Sequence, residues 1–456
     1  MIQLPSQFKE RSREVVAPAE YDAFISSFDM EQPVSVRMNP YKKGEAPFCQ
    51  ERIPWCSEGY YLSSRPSFTL LPVFHGGAFY VQEASSMFLE QLFLQGIFPA
   101  IGKDIRVLDL CAAPGGKSTH IASLLGKEGL LVANEVIKPR SKILVENVQK
   151  WGTANTMVTN SDPRAFGNLC HFFDVMVVDA PCSGEGMFRK EPVAREEWSE
   201  DNVSLCAQRQ RRILADAWDA LAPGGFLIYS TCTFNREENE ENIAWITRNY
   251  EVEPVEISLV SEWNVVRTET EGISAFRFFP HRIKGEGFFV TVMRKSSGER
   301  VERKNRAVGK GVFLSPAKND MQELKNWFGH PGDWEFGVRN QEVYAFYNGR
   351  KADAEQIAAK VNLIYPGLDV GQLFHNKLKP AHALALCNDL SSSVVPVASL
   401  DEADALNYLR KADVGCEKFA LSLNLIVYRG VSLGFLKRIG NRCNNMYPKE
   451  YRILNL

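Results

Sequence analysis

Between residues 104 and 295 short apolar runs alternate with stretches whose apolar positions recur every three or four residues. The runs Asp104 to Cys111 (DIRVLDLC), Gly129 to Val136 (GLLVANEV), Asn155 to Asn160, Phe173 to Ala180 and Phe226 to Cys232 are apolar nearly throughout, the pattern of strands buried on both faces. Lys138 to Trp151 and Ala207 to Leu221 carry the helical period between them. This alternation predicts an α/β fold built on a parallel, doubly wound sheet. An acidic helix (Arg236 to Asn249), a strand near Glu251 to Ile257 and a β-rich run, Gly287 to Arg294 (GFFVTVMR), are expected to follow, the last completing the sheet as an edge strand.

At 456 residues the chain exceeds what one core accommodates, so two or three domains are expected. Ser296 to Lys310 (SSGERVERKNRAVGK) is polar, basic and Gly-bearing, as exposed linkers are. The expected division is an N-terminal region 1–100, a catalytic region 101–295, the linker 296–310 and a C-terminal region 311–456. The 53 basic and 55 acidic residues nearly cancel, so whole-chain charge points to no particular partner and any nucleic-acid surface must come from local clustering. One candidate is the C-terminal run RGVSLGFLKRIGNRCNNMYPKEYR, where Lys437, Arg438 and Arg442 alternate with Phe435, Tyr447 and Tyr451; a solvated face on a small α+β domain reads equally well. Met1 to Pro18 has no apolar signal core, and no run approaches the roughly 18 apolar residues of a membrane span, so a cytoplasmic protein is expected. The 10 cysteines show no C-x-x-C pair, and no metal site is expected.

The first strand leads into Cys111-Ala112-Ala113-Pro114-Gly115-Gly116-Lys117 and then a helix, a loop of small residues that lets backbone approach a ligand. It differs from the phosphate-binding pattern G-x-x-x-x-G-K-[ST] only in having Cys111 where the first glycine belongs, and VMVVD, ending at Asp179, resembles a magnesium-holding strand. An NTP-hydrolysing RNA-binding protein is therefore a rival reading. Against it, Pro114 removes a backbone N–H from a loop that would donate N–H groups to phosphate. Glu135 ends the second strand 19 residues beyond Gly116, where an acidic side chain accepts from ribose hydroxyls. With Asp162 and Asp179 at the next strand ends, the site suits a cationic, phosphate-free cofactor such as S-adenosylmethionine; each carboxylate alone reads equally well as a helix cap or solvated end.

Cys182 and Cys232 also stand directly after apolar strands, which aims both thiols at one crevice. Carbon 5 of cytosine is too weak a nucleophile to take a methyl group from a sulfonium. Addition of a thiolate at carbon 6 makes an enamine whose carbon 5 can attack. Asp179, three residues before Cys182, is placed to hydrogen-bond the N3/N4 edge of the base. Burial is the ordinary explanation for one strand-end cysteine, but two at neighbouring strands weaken it. Placement alone leaves open which thiol attacks.

The runs CAAPGGKST, NSDPRAF, VVDAPCSGEGMFRK, PGGFLIYSTCTFNREENE and FPHRIKGEGFF resemble the motifs of the NSUN (Sun) family of RNA 5-methylcytosine methyltransferases, over residues from about 70 to 295. The resemblance implies a Rossmann-like methyltransferase sheet, with Cys232 of the T-C dipeptide as nucleophile and Cys182 of P-C assisting product release. It implies that the Cys111–Lys117 loop, Glu135, Arg140, Asp162 and Asp179 bind S-adenosylmethionine. SVRMNP resembles the family's RNA-contacting segment, so Arg37 and Asn39 are expected at RNA; an ordinary turn is the plainer reading. The C-terminal third resembles the PUA-like RNA-binding extension of bacterial members that modify small-subunit (16S) ribosomal RNA. The implied partner is that RNA or the small subunit, with transfer RNA as the alternative, and the protein is expected to act as a monomer.

Overall fold

The computed structural model describes residues 3–42, 49–296, 298, 311–375 and 377–454. Apart from Ser296 and Gly298, the expected linker lies outside the described residues. At the centre is a ten-stranded sheet whose strands are β1 (Arg106–Asp109), β2 (Leu130–Asn134), β3 (Thr156–Thr159), β4 (Phe173–Asp179), β5 (Leu221–Thr231), β6 (Val252–Pro254), β7 (Val266–Thr270), β8 (Ile273–Phe278), β9 (Phe288–Lys295) and β10 (Leu363–Tyr365). They lie in the order β7-β8-β9-β5-β4-β1-β2-β3-β10, with β6 also paired to β9. Strands β1 to β5 are mutually parallel; β7, β8 and β9 continue the sheet antiparallel on one side and β10 on the other.

Two expectations change. The run expected at the sheet edge, now β9, is interior between β5 and β8 and nearly all buried, while β7 is the edge strand with its alternating half-exposed residues. The sheet is mixed, and it takes β10 from the C-terminal third. The helices keep their places: α1 (Gly116–Leu125), α2 (Lys138–Trp151), α3 (Glu200–Ala217) and α4 (Glu240–Asn249). Helix α3 starts earlier than its apolar period suggested because Ser199 caps it, accepting from the Asn202 amide at 3.1 Å, and Glu200 and Asp201 face the positive end of the helix dipole. Gly152 ends α2 in the left-handed region, φ 79°.

Neighbouring residues on the central strands feed opposite cores, which is why these strands are apolar throughout. Leu108, Met176, Leu227 and Phe289 pack with α3 and α4 through Ile213 and Ile243. Val107, Val175, Ile228 and Val290 pack on the other face with Ile121 of α1 and with Trp55 and Phe88 from the N-terminal region. A further core lies outside this sheet. A four-stranded N-terminal sheet (Val34–Met38, Cys49–Arg52, Gly59–Leu62, Phe79–Val81) shares a core with the sheet formed by Val397–Ser399, Ser422–Tyr428, Val431–Ile439 and Arg442–Asn445, through Val36, Phe79, Tyr408 and Leu433. No helix among the described residues is long and apolar enough to cross a membrane.

Strand order reverses between β1 and β4: β2 and β3 lie to one side of that pair, β5 to the other. In an open α/β sheet a ligand crevice forms beyond the strand ends at such a reversal. The small-residue loop and both thiols lie at these ends.

Candidate active site: an acidic cleft and two thiols

The loop after β1 is shaped by residues that leave room and by α2, which holds it. The Ala113–Pro114 peptide is cis, and Gly115 has φ 116°, where a Cβ would also lie 3.2 Å from Leu144 Cδ1. Arg140 donates to the Ala113 carbonyl and Asn147 to the Pro114 carbonyl, each at 2.8 Å. The cleft beside the loop is lined by Gln82, Glu83, Asp109, Ala113, Lys117 and Asp179, among others. Lys117 Nζ sits 2.7 Å from Asp179 Oδ2, while Asp179 Oδ1 accepts from Ser230 Oγ at 2.8 Å.

Asp109, at the end of β1, was not among the residues singled out from sequence, although its strand-end position matches that of the others. Ser118 Oγ donates to its Oδ2 at 2.6 Å, and its Oδ1 has no partner among the described residues. Burial pushes its carboxyl up to about 7, with the Ser118 hydrogen bond opposing and Asp179 adding to the rise. Cys111 is half-buried; burial and then the carboxylates around it push its thiol well up, which suits a loop element and not a nucleophile.

The other two carboxylates are partly occupied. Glu135 is buried, accepts from the Ile137 amide at 2.8 Å and lies 3.5 Å from Arg140. Asp162 is exposed and accepts from the Arg164 amide at 3.0 Å, capping the short turn Pro163–Asn168. Neither lines the cleft that holds Lys117 and Asp179; they stand at the ends of the next strands along.

The two thiols meet. Strands β4 and β5 are adjacent and parallel with Asp179 opposite Ser230, so the loops that follow leave the sheet side by side. Cys182 Sγ lies 3.0 Å from Cys232 Sγ, and the Cys232 amide points to Cys182 Sγ at 3.4 Å. Both residues are half-buried. The hydrogen bond with Cys232, reinforced by burial, holds the Cys182 thiol well above its ordinary value.

The residues expected at RNA divide. Arg37 and Asn39 are 1% and 3% exposed, and their donors are used inside the protein, so the expected contact with RNA is corrected. Arg37 donates to Gln82 Oε1 at 2.9 Å and to Thr119 Oγ1 of α1 at 2.6 Å, and its guanidinium lies over the Trp151 ring, 4.4 Å from the centroid. Asn39 donates to the carbonyls of Gly77 and Trp151, both at 2.9 Å. Lys437 and Arg442 are exposed, whereas Arg438 is half-buried and donates to Phe419 O at 2.6 Å. Away from the cleft, Cys56, Glu90 and His120 converge in the interior, with Cys56 Sγ and His120 Nε2 at 3.2 and 3.0 Å from the same Glu90 oxygen. Their spacing in the chain gave no sign of this cluster, whose contacts are those of two donors on one carboxylate.

Comparison with known proteins now bears on the whole chain. Residues 100–294 match the model of the 16S rRNA methyltransferase RsmB/F family, residues 4–84 that of the N-terminal domain of 16S rRNA methyltransferase RsmF, and residues 395–453 that of the methyltransferase RsmF PUA domain. Ribosomal RNA small subunit methyltransferase F of Enterobacter sp. (strain 638) is 32% identical over 98% of this chain and 95% of its own length. The protein of that name from Escherichia coli O7:K1 (strain IAI39 / ExPEC) is 33% identical over 98% and 96%. A methyltransferase homolog protein from Pyrococcus horikoshii superposes with TM-score 0.52 at 29% identity, over 64% of this chain and 95% of that one. NSun6 from Pyrococcus horikoshii, solved with SFG, has the same fold, with TM-score 0.54 at 22% identity over 64% and 99%. At such identity over nearly the full length, the chain belongs to the RsmB/F family of 16S rRNA methyltransferases.

Proposed function

We propose that the protein transfers a methyl group from S-adenosylmethionine to carbon 5 of a cytosine in small-subunit (16S) ribosomal RNA, through a transient bond between Cys232 Sγ and carbon 6. The observation that carries this reading is the pair of thiols 3.0 Å apart, next to a cleft edged by Asp109, Lys117 and Asp179. The relatives named as small-subunit methyltransferases support the choice of RNA. We take residues 1–100 and 311–456 as flanking RNA-binding regions around a catalytic domain of 101–295.

The cleft fits S-adenosylmethionine by its donor set: an unpartnered carboxylate oxygen on Asp109 faces a site built to receive positive charge, and the small-residue loop admits close approach. The Cys111–Lys117 loop, Glu135, Arg140, Asp162 and Asp179 would hold it, and bound there it supplies the methyl group. The chain's own residues do the rest. Cys232 attacks carbon 6, turning the ring into an enamine. Asp179, fixed by Lys117 and Ser230, orients the N3/N4 edge of the base. Attack is assigned to Cys232 as the cysteine of the T-C dipeptide; removal of the carbon 5 proton by a base then expels Cys232 Sγ from carbon 6, and Cys182, 3.0 Å away, assists that release.

Labelled methyl transfer to small-subunit particles, bare 16S rRNA and transfer RNA, followed by mapping of the modified base, tests the reading. Cys232→Ala should abolish transfer and Cys182→Ala should leave protein covalently bound to RNA. Activity in the Cys232 variant, or a modified atom other than cytosine carbon 5, overturns it. Calorimetry should show binding of S-adenosylmethionine and none of magnesium ATP.

A further inference from the structure

Two buried carboxylates tie the thiol loops to each other from opposite sides. Glu185 stands on the loop that carries Cys182, and its Oε2 reaches the other loop, accepting from Thr233 Oγ1 at 2.6 Å and from the amides of Phe234 and Asn235 at 2.8 and 2.9 Å. Glu238 stands beyond Cys232 and reaches back, accepting from the Ser183 amide at 3.0 Å and from the Ser183 hydroxyl. The carboxylates are 1% and 0% exposed. Asn235 Nδ2 donates to both, at 3.1 and 2.8 Å, and Trp198 Nε1 and Gln210 Nε2 add donors to Glu185 and Glu238 at 3.1 and 2.7 Å.

The grip falls on the residues next to the thiols, since Ser183 follows Cys182 and Thr233 follows Cys232. Burying a carboxylate is costly unless donors surround it, and neutral side chains suffice where loops need only be closed. Burial pushes Glu238 up to about 7 even against its donors, a measure of that cost. A reaction that uses one thiol to attack a ring and the other to free it needs their separation fixed more tightly than loop packing alone achieves.

We propose that Glu185 and Glu238 are positioning residues, a reciprocal clasp that fixes the distance between the Cys182 and Cys232 thiols and so governs both formation and release of the RNA adduct. The kinetic half rests on the cytosine-methylation reading; the geometric half does not.

The test uses the full chain carrying Glu185→Gln or Glu238→Gln. Each goes into a Cys416→Ser/Cys443→Ser background, because those two thiols also lie near enough to perturb one another. Dibromobimane, which fluoresces after alkylating two adjacent thiols, should bridge Cys182 and Cys232 in the parent and do so about tenfold more slowly in either variant. Affinity for S-adenosylmethionine should stay within about threefold, and kcat for methyl transfer should fall about 100-fold with KM for RNA little changed. Ser183→Ala, which removes one donor and keeps both carboxylates, should show the same losses in smaller measure if the glutamine variants do not fold. Folded variants that bridge and turn over as the parent does overturn the proposal, as does a parent that does not bridge. Slower bridging in proteins that never methylate cytosine would leave the clasp standing and refute the reading of the activity.

Discussion

Lys117 Nζ lies 2.7 Å from Asp179 Oδ2, joining the first turn of α1 to the end of β4 across the point where strand order reverses. Burial works against the ammonium, but Asp179 and Asp109 outweigh it and hold Lys117 above its ordinary value. Removing either member leaves the other half-buried without its partner and the base-orienting carboxylate misplaced. Lys117→Met and Asp179→Asn should each slow single-turnover methylation about 100-fold, and the double variant should be little worse than either single one. Additive losses would show that the two act separately.

Asp109 makes the fold pH-dependent in a stated direction. Its folded value, raised to about 7, exceeds the ordinary 3.8, so between these the native chain binds the extra proton and stability falls as pH rises through that window. Asn in its place keeps an acceptor for Ser118 and removes the buried charge. Asp109→Asn should match the parent below about pH 4 and exceed it by roughly 1–3 kcal/mol at about pH 8, less whatever its unpaired amide costs. Denaturant titrations across that range decide it, and a parent that gains stability over the variant as pH rises refutes it.

What was legible in the chain was whatever depends on neighbours in sequence. Cys182 and Cys232 could be aimed at one crevice because parallel strands buried on both faces are apolar throughout and their ends are abrupt. Sheet order was not legible: FFVTVM reads the same at an edge as in the interior, and only pairing with β5 and β8 places it. Arg37 shows the same limit. In SVRMNP it reads as exposed, and its burial depends on Trp151, Gln82 and Thr119, all distant in the chain. For the same reason Glu185 and Glu238 were not singled out: their partners Thr233, Asn235 and Ser183 are brought to them only when the two strand-end loops meet.

Lys437 and Arg442 are exposed cations of the C-terminal sheet, and the proposed RNA surface includes them. Lys437 pairs with Asn444 and Ile439 with Arg442, so Lys437 and Arg442 share one face of the hairpin, with Ile439 62% exposed between them. Their reversal to glutamate should raise KM for RNA, leave S-adenosylmethionine affinity unchanged, and lower the slope of log affinity against log salt by about 1 to 2. Filter binding at several salt concentrations measures this; an unchanged slope would remove this face from the RNA surface.

Gly186 tests how closely the thiol loops must approach. Its amide donates to the Cys232 carbonyl at 2.8 Å, and a Cβ would lie 2.5 Å from Gly287 O and 2.9 Å from Cys232 O. These obstacles are backbone atoms, not side-chain ends that can swing away, so an added methyl forces the loops apart. Gly186→Ala should cost about 1–3 kcal/mol of stability, as overpacking does. It should also lower methyl transfer about 10- to 100-fold at temperatures where the variant is fully folded, since a misplacement near 1 Å is enough to do so. Gly332→Ala, where a Cβ meets nothing within 4 Å, is the matched control and should change neither. If Gly186→Ala loses stability and retains full activity, the loops tolerate separation and the thiols do not depend on their 3.0 Å contact.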